Sequence, residues 1–567
     1  MAEPHATPGL PELSGRSTVA LWVGVALVGA LLPVAATVRW FNATHSATFE
    51  EVAAGVWILK GALIATAALG LLSARIPVHS RRAAADDPVT PPAARWAVAA
   101  LLLLAAALRL YQLDTELWMD EIFLLTRYAP LEFPQLLSTY DSQNHQPLYS
   151  LLARLSMLAL GGVDWSIRVP AAVLGVASLW AVWWLGRKVA PVSEALLAVA
   201  FLAVSYHHVW FSQNARGYTT ILLLTVLTTG VFLRLASGAG PTRRLALVYA
   251  VLMALAAYTH LTAALIAVGH AIALALATRW RDHDARRMAV WPAIAILMSG
   301  LLSTVLYGPM LPQLWHQVTT PTMEGVAVEW TGTGWMLREG LRVLSQGIPG
   351  GLVTVAAALL VLAVGVWSYW RQSRLTTLVM FVPVVVTFAA IVATRHNLWP
   401  RFFFFAAAFF VLAALRGGFV IVRMLVRWHP DRVAIAGASA VAALSLLTVP
   451  RAWAPKQQFG AAYEFVESER QPGDEVVVVD IAAEVYELRG WAPTWHRTTS
   501  VDVVTAIERS AGRTWIVYTL PARVRAILPG LFAHFTSAHY KPVRIFPASV
   551  GGGEIHVLRH DAATSHD

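Results

Sequence analysis

The sequence predicts a polytopic α-helical membrane protein of about thirteen transmembrane helices. It also predicts helices lying along the membrane in the first outer loop, and a small extracytoplasmic α/β domain at the C-terminus. Three observations carry this prediction. Of 567 residues, 57% are hydrophobic and only 13% charged, with a mean hydropathy of +0.58, whereas soluble domains carry about 25% charged residues. Apolar runs of about 20 residues, the length a helix needs to cross a bilayer, recur between Thr18 and Ala452. From residue 456 onward that pattern stops. Cysteine is absent, which excludes disulfides, thiolate metal sites and a cysteine nucleophile. The net charge of +10 resides in arginine clusters within short loops, where it sets topology rather than binding nucleic acid.

Residues 1–16 are polar and contain Pro4, Pro8 and Pro11. The run Thr18–Val38 exceeds the roughly 7–15 apolar residues of a signal peptide and lacks a small-residue cleavage site, so it reads as a retained span. A second span covers about 52–72 and contains Lys60, expected to snorkel or to face a neighbouring helix rather than to bind a ligand. The proline-broken linker 75–94 carries Arg75, Arg81 and Arg82, which places it in the cytoplasm and sends the third span, about 95–112, outward. Leu148–Leu160 is too short to cross and includes Arg154, so it reads as a surface helix. Ten further spans are expected at about 168–188, 192–211, 217–236, 244–259, 261–278, 288–308, 350–370, 375–394, 401–423 and 433–452. That arrangement keeps Arg187-Lys188, Arg243-Arg244, Arg279 to Arg287, Arg371/Arg374 and Arg423 to Arg432 inside, with the N-terminus inside and the C-terminus outside. Residues 309–349 form a long outer loop rich in Trp, Gly and Pro, a kind of loop that is commonly functional. In 456–567, Val476–Asp480, Thr514–Thr519 and Glu554–Leu558 read as strands, and Val501–Ser510 and Arg523–Leu528 as helices. Gly551-Gly552-Gly553 reads as a hairpin loop, not a phosphate cradle. The expected divisions are an N-terminal hairpin with its linker (1–94), a transmembrane catalytic core (95–455) and the α/β domain (456–567).

The stretch Leu113-Asp114-Thr115-Glu116-Leu117-Trp118-Met119-Asp120-Glu121 leaves the third span. Carboxylates in such a position are costly unless they face water or do chemistry, and Asp120-Glu121 reads as the catalytic pair of a membrane-embedded glycosyltransferase. When the donor is a sugar on a polyprenyl phosphate, the leaving phosphate is already anionic and needs charge stabilisation. The acceptor hydroxyl needs a base on the opposite face of the sugar, so one carboxylate suffices for inverting transfer. Asp120 suits that base; Glu121 would hold the acceptor or raise the pKa of Asp120 by repulsion. A solvated helix end is the plain alternative. Arg168, Arg216, Arg395 and Arg401 all fall on the outer side and are candidates to hold phosphate, each otherwise an interfacial anchor. Arg216 stands out within Ser212-Gln213-Asn214-Ala215-Arg216-Gly217-Tyr218. His145, His260 and His396 are candidates to orient acceptor or phosphate. No HxH or HExxH spacing occurs, so a divalent metal stays open without a ligand set. Two other classes stand beside this reading: a lipid or glycan transporter or flippase, and a polymerase or ligase using lipid-diphosphate donors. A transporter would usually place ionisable residues near the bilayer midplane and show inverted repeats; here the acidic residues cluster outside.

Four motifs then join up: Leu117-Trp118-Met119-Asp120-Glu121, Asn144-His145-Gln146-Pro147-Leu148-Tyr149, Ser166-Ile167-Arg168-Val169-Pro170 and Ser212 to Tyr218. In this order and spacing the chain resembles the bacterial branch of the protein O-mannosyltransferase and aminoarabinose-transferase superfamily (glycosyltransferase family 39-like, GT-C fold), over about residues 95–425. The resemblance implies an inverting, mannosyltransferase-like enzyme of the bacterial plasma membrane. Its donor would be a polyprenyl-phosphate-linked sugar and its acceptor a glycan, lipid or protein. The base would be Asp120, with Glu121 beside it. Substrate contacts are expected from His145, Tyr149, Arg168, Arg216, Tyr218, His260 and Arg401. The family's His-x-Pro-Pro reads His145-Gln146-Pro147 here, one proline short. The spans before residue 95 are additional to the family's usual start, and the C-terminal domain matches no family motif.

Overall fold

The structure, a computed structural model, describes residues 15–41, 48–78, 90–142, 144–319, 330, 332–347, 351–395, 397–537 and 539–561. The proline-containing N-terminus, Arg81 and Arg82 of the linker, part of the 309–349 loop and His396 lie outside the described residues.

Every expected span is helical at least in part. Among the described residues, 7 helices are long and apolar enough to cross a membrane, or up to 9 if each bent pair is one span. Thirteen is therefore not reached on length and apolarity alone: Thr242–Thr259, Ala263–Ala277, Gly351–Gln372 and Pro430–Leu446 are helices outside that set. Two expected spans are broken rather than continuous. Gly15–Leu31 turns by 85° into Val34–Phe41, and Val192–Ala203 turns by 60° into Tyr206–Ser212. Pro33 explains the first break, because proline lacks an N–H and disfavours helical geometry in the residue before it. A broken helix leaves carbonyls without partners in a medium that offers none. Lys60 answers the first break by donating from Nζ to the carbonyls of Ala30 (3.1 Å) and Leu32 (2.6 Å). It thus faces a neighbouring helix, as the plainer reading expects. Arg109 answers the second. Fully buried, it donates to the carbonyls of Ala203 (3.0 Å) and Leu202 (3.1 Å) and contacts Nδ1 of His208 (2.8 Å).

The first loop folds as short helices, Met119–Phe123 with a wider π turn at Leu124–Tyr128, Phe133–Leu136 and Pro147–Leu160. The last has 14 residues, about 21 Å at 1.5 Å per residue, short of the roughly 30 Å hydrocarbon core. Arg154, on its inner side, ties the loop down through the carbonyls of Ala129 (3.0 Å) and Pro130 (3.1 Å).

The C-terminal domain is a five-stranded sheet in the order β2-β1-β3-β5-β4, from β1 (Glu475–Val478), β2 (His496–Arg497), β3 (Arg513–Thr519), β4 (Tyr540–Phe546) and β5 (Ile555–Asp561). β2, β1 and β3 are parallel; β5 is antiparallel to both β3 and β4. Strand β4 escapes the sequence pattern because it is an edge strand with an exposed middle, carrying Lys541, Pro542 and Arg544 and a bulge between Pro542 and Arg544. Those are the devices that protect a free edge. Gly551-Gly552-Gly553 lies in the β4–β5 hairpin, with Gly552 at φ +69°. The domain is not a separate body. Phe459, Val466, Tyr486, Trp495 and Trp515 pack into one apolar core with Leu117, Ile122, Leu125, Tyr149 and Ile167 of the first loop.

Within the bundle, Gly351–Gln372 and Ala407–Leu425 cross at a pair of glycines. A Cβ on Gly417 would stand 1.8 Å from the carbonyl oxygen of Val361, and one on Gly365 1.7 Å from that of Ala413. Small residues permit such backbone approach where lipid supplies no hydrophobic driving force. Gly417→Leu should lower stability by about 1–3 kcal/mol or more, read as a fall in the unfolding temperature of the solubilised protein. Gly418→Leu, whose Cβ meets nothing within 4 Å, should leave it unchanged.

Candidate active site

The helix Pro92–Leu110 ends at Tyr111, and Gln112 takes a left-handed φ of 51° that redirects the chain. The next helix starts at Met119 after Trp118. Its free N–H groups find partners on both sides of the loop: Trp118 N donates to Glu121 Oε2 (3.3 Å) and Met119 N to Gln457 Oε1 (3.0 Å). Trp118 is fully buried, and its indole N–H donates to Asn214 Oδ1 (3.1 Å). These contacts place Asp120 and Glu121, adjacent in sequence, in different surroundings.

Glu121 points into the protein. Arg168 grips it with two prongs, Nε to Oε1 at 2.8 Å and Nη2 to Oε2 at 2.5 Å, and the N–H of Ala215 donates to Oε1 at 2.7 Å. Burial alone would raise this carboxyl, but the Arg168 guanidinium more than offsets it and holds Glu121 below its ordinary pKa. Arg168 spends its other donors on the carbonyls of Leu113 (2.9 Å), Thr115 (2.7 Å) and Glu116 (3.0 Å). Both side chains are fully buried. Glu121, expected to hold the acceptor or raise the pKa of Asp120, and Arg168, expected at the phosphate, satisfy each other in the structure, and neither lines the cavity described below.

Asp120 faces the other way. It lines a cavity of about 440 Å³ together with Asp141, Ser142 and Asn144 of the first loop, Trp399 and Arg401, and Glu484 and Arg523 of the C-terminal domain. Its Oδ1 accepts from Asn144 Nδ2 (3.1 Å), and Arg216 Nε stands 3.9 Å from Oδ2. Arg216 in turn donates to the backbone carbonyl (2.7 Å) and Oδ1 (2.6 Å) of Asn144. The guanidinium has only donors, so Asn144 must turn its oxygen to Arg216 and its NH₂ to Asp120. Asn144 thus orients the carboxylate. Arg401 lies against the rings of Trp399 (4.6 Å) and Trp118 (5.9 Å), and its buried Nε has no hydrogen-bond partner. A guanidinium on a cavity wall suits an anion.

The remaining expected residues sit behind this wall or away from it. His145 is buried and stacked on Tyr128 (4.0 Å, 5°); burial pushes its imidazole down to about 3, so it is neutral at physiological pH. The Tyr149 hydroxyl donates to the carbonyl of Ile167 (2.8 Å), which is a packing role. Tyr218 packs on Phe211, and His260 accepts from Thr262 Oγ1 (2.8 Å) through Nδ1 while its ring lies 5.5 Å from that of Phe402. Arg395 is exposed and outside the cavity. Among the described residues no group of three or more His, Asp or Glu is placed to hold a metal ion. Sequence reasoning passed over Asn144 as a site residue, although it begins the second quoted motif. It also passed over the C-terminal wall, which carries no local signal.

The C-terminal domain is joined to the site by buried polar contacts. Lys456 Nζ donates to the carbonyl of Gln213 (2.7 Å); burial, with Arg168 adding repulsion, pushes its pKa down to about 7. Glu116 accepts the N–H of Gly460 at the start of the helix Phe459–Glu469. Burial pushes its pKa up to about 7, against the opposing pull of the Gly460 and Ala461 amides.

Residues 144–307 match the family model described as dolichyl-phosphate-mannose-protein mannosyltransferase. The structure is similar to that of the archaeal oligosaccharyltransferase AglB from Archaeoglobus fulgidus in complex with an inhibitory peptide and a dolichol-phosphate. The TM-score is 0.50 at 11% identity, over 82% of this chain and 74% of that one. ArnT from Cupriavidus metallidurans, bound to undecaprenyl phosphate, matches at TM-score 0.48 and 11% identity over 82% of this chain and 98% of that one. The arabinosyltransferase EmbB from Mycobacterium smegmatis matches at 0.40 and 16%, over 66% and 34%. No curated protein sequence matches the chain.

Two outcomes follow from this geometry. Arg168→Ala leaves Glu121 buried without its cation and should cost about 3–5 kcal/mol, measured by thermal unfolding. Arg168→Lys, which keeps the charge but not the two-pronged geometry, should recover only part. Glu116 has a folded pKa raised to about 7 from an ordinary 4.5, so the folded state binds the extra proton. Its contribution is fully present below about 4.5 and lost as pH rises through about 7. Unfolding temperatures from pH 4.5 to 7 should therefore fall more for the wild type than for Glu116→Gln.

Proposed function

We propose that this chain, a glycosyltransferase of the GT-C fold, transfers a sugar with inversion from a polyprenyl-phosphate donor to a hydroxyl acceptor, with Asp120 as general base. The observation that carries the reading is the sharing of one cavity wall by Asp120 and the cationic Arg401. In this scheme the donor phosphate lies against Arg401, with the anomeric carbon between it and Asp120. Asp120 Oδ2 takes the proton of the acceptor hydroxyl as the new bond forms to the anomeric carbon, and the bond to the phosphate oxygen breaks on the far side. The phosphate leaves as an anion and needs no acid, which is why one carboxylate suffices. Asn144 and Arg216 hold Asp120 in register, and Glu121 with Arg168 secures the backbone beneath it. A dolichol-phosphate is held in the AglB complex, a carrier of the class proposed here. The family match over 144–307 makes mannose the first sugar to test. The arginine-rich loops support a site on the outer face of a bacterial plasma membrane, with the N-terminus cytoplasmic and the C-terminal domain extracytoplasmic.

Asp120→Asn should lower transfer by about 10²–10⁴-fold while the purified protein still binds undecaprenyl phosphate; Arg401→Ala should lose that binding. Normal turnover by Asp120→Asn would remove Asp120 from the role of base. Consumption of lipid-diphosphate sugars, with monophosphate sugars left untouched, would make the protein a polymerase or ligase instead.

A further inference from the structure

We propose that the wall contributed by the C-terminal domain is the acceptor subsite and that the acceptor it fits is a carbohydrate; this rests on the transferase reading above. Three features of the cavity point there. First, the domain meets the cavity with the carboxyl ends of its parallel strands rather than with a sheet edge. Val479 and Asp480 follow β1, and Leu520 follows β3; Ile481, Leu520 and Arg523 line the space opposite Asp120. Crevices outside the carboxyl ends of such strands take small polar ligands. The commonest way for an extended peptide to join a sheet is to pair along a free edge, and this wall presents none, since the outer strands β2 and β4 contribute no lining residue.

Second, the polar groups on the wall are arginine–carboxylate pairs. Arg523 Nε donates to Asp480 Oδ2 (2.8 Å), and Arg127 of the first loop pairs with Glu484. Both pairs are partly open, with side-chain exposures of 26% and 11% for the first and 41% and 35% for the second. Each sets planar donors and acceptors side by side, the pattern that neighbouring sugar hydroxyls, each both donor and acceptor, can satisfy. Across from them Trp330 and Trp399, packed on each other with rings 5.3 Å apart, give the cavity an apolar margin.

Third, the backbone at the strand ends is held in costly conformations. Asp480 sits at φ 52°, ψ −127° and Leu520 at φ 52°, ψ 60°, regions that side-chain-bearing residues rarely occupy and that persist where surrounding contacts impose them. Arg523 fixes the first, and the Leu520 N–H bonded to the carbonyl of Gly552 (3.1 Å) fixes the second. The residues that follow these strained positions, Ile481 and Glu484 after Asp480 and Arg523 after Leu520, line the cavity.

The test uses the full-length protein in detergent, with undecaprenyl phosphate, a panel of gluco-, manno- and galacto-configured trisaccharides and a threonine-containing hexapeptide as probes. Binding is read by tryptophan fluorescence and by the shift in unfolding temperature. At least one trisaccharide should bind and the hexapeptide should not. Arg523→Ala and the milder Glu484→Gln should each weaken trisaccharide binding about 10-fold or more, the loss expected for a hydrogen bond to a charged group, with undecaprenyl phosphate binding retained. Binding of the hexapeptide alone, or of no trisaccharide by a wild-type protein that holds undecaprenyl phosphate, would overturn the proposal. So would trisaccharide affinity unchanged in Glu484→Gln. Failure of the wild type to bind undecaprenyl phosphate would instead sink the transferase reading.

Discussion

The buried pair of Glu121 and Arg168 is the constraint on which the rest of the site depends. A carboxylate and a guanidinium removed from water cost several kcal/mol each, and their attraction repays this only when geometry and additional hydrogen bonds are good. Both conditions hold here. The pair is two-pronged, the Ala215 amide completes the carboxylate, and three loop carbonyls complete the guanidinium. One ion pair therefore ties together the exit of the third span, the start of the Met119–Phe123 helix, the segment leading into Val169–Val189 and the polar turn before Tyr218–Ala236. Rigid positioning of the neighbouring Asp120 follows from it, because successive residues on a helix point in different directions.

A second constraint is the need to satisfy broken helices. The turn containing Asn214 and Arg216 reaches the site because the helix ending at Ala203 stops and restarts at Tyr206, and Arg109 makes that break tolerable by donating to the freed carbonyls. The same economy recurs at the far hairpin, where Lys60 serves the end of the first helix. Charged residues inside apolar segments here do structural work at helix ends, consistent with the general cost of leaving backbone groups unpaired in lipid.

The C-terminal domain is bound into the architecture by an apolar core that it shares with the first loop. Gln457 caps the Asp120 helix from that side, and Lys456 reaches the turn that leads to Arg216. The cavity exists because these two bodies meet around it, so the identity of the domain and the character of the site are one question. Ile481, Glu484, Leu520 and Arg523 are among the residues by which the domain shapes that cavity.

The membrane character, the position of the helices, the short surface helix at 147–160 and the three-strand kernel of the C-terminal sheet were legible in the chain alone. Local periodicity and hydropathy decide those features, and one stretch of residues carries the whole signal. The acidic pair was legible too, because two carboxylates at the end of a span contradict their surroundings. What the sequence left undecided was which of these side chains would meet a cavity: Asp120 and Arg401 line one, whereas Glu121 and Arg168 face each other in the interior. The edge strand β4, the two helix breaks bridged by distant cations and the C-terminal wall opposite Asp120 were likewise decided only by tertiary structure. In each case the deciding contact joins residues far apart in sequence. Burial, orientation and hydrogen-bond saturation are properties of that meeting, not of any local pattern.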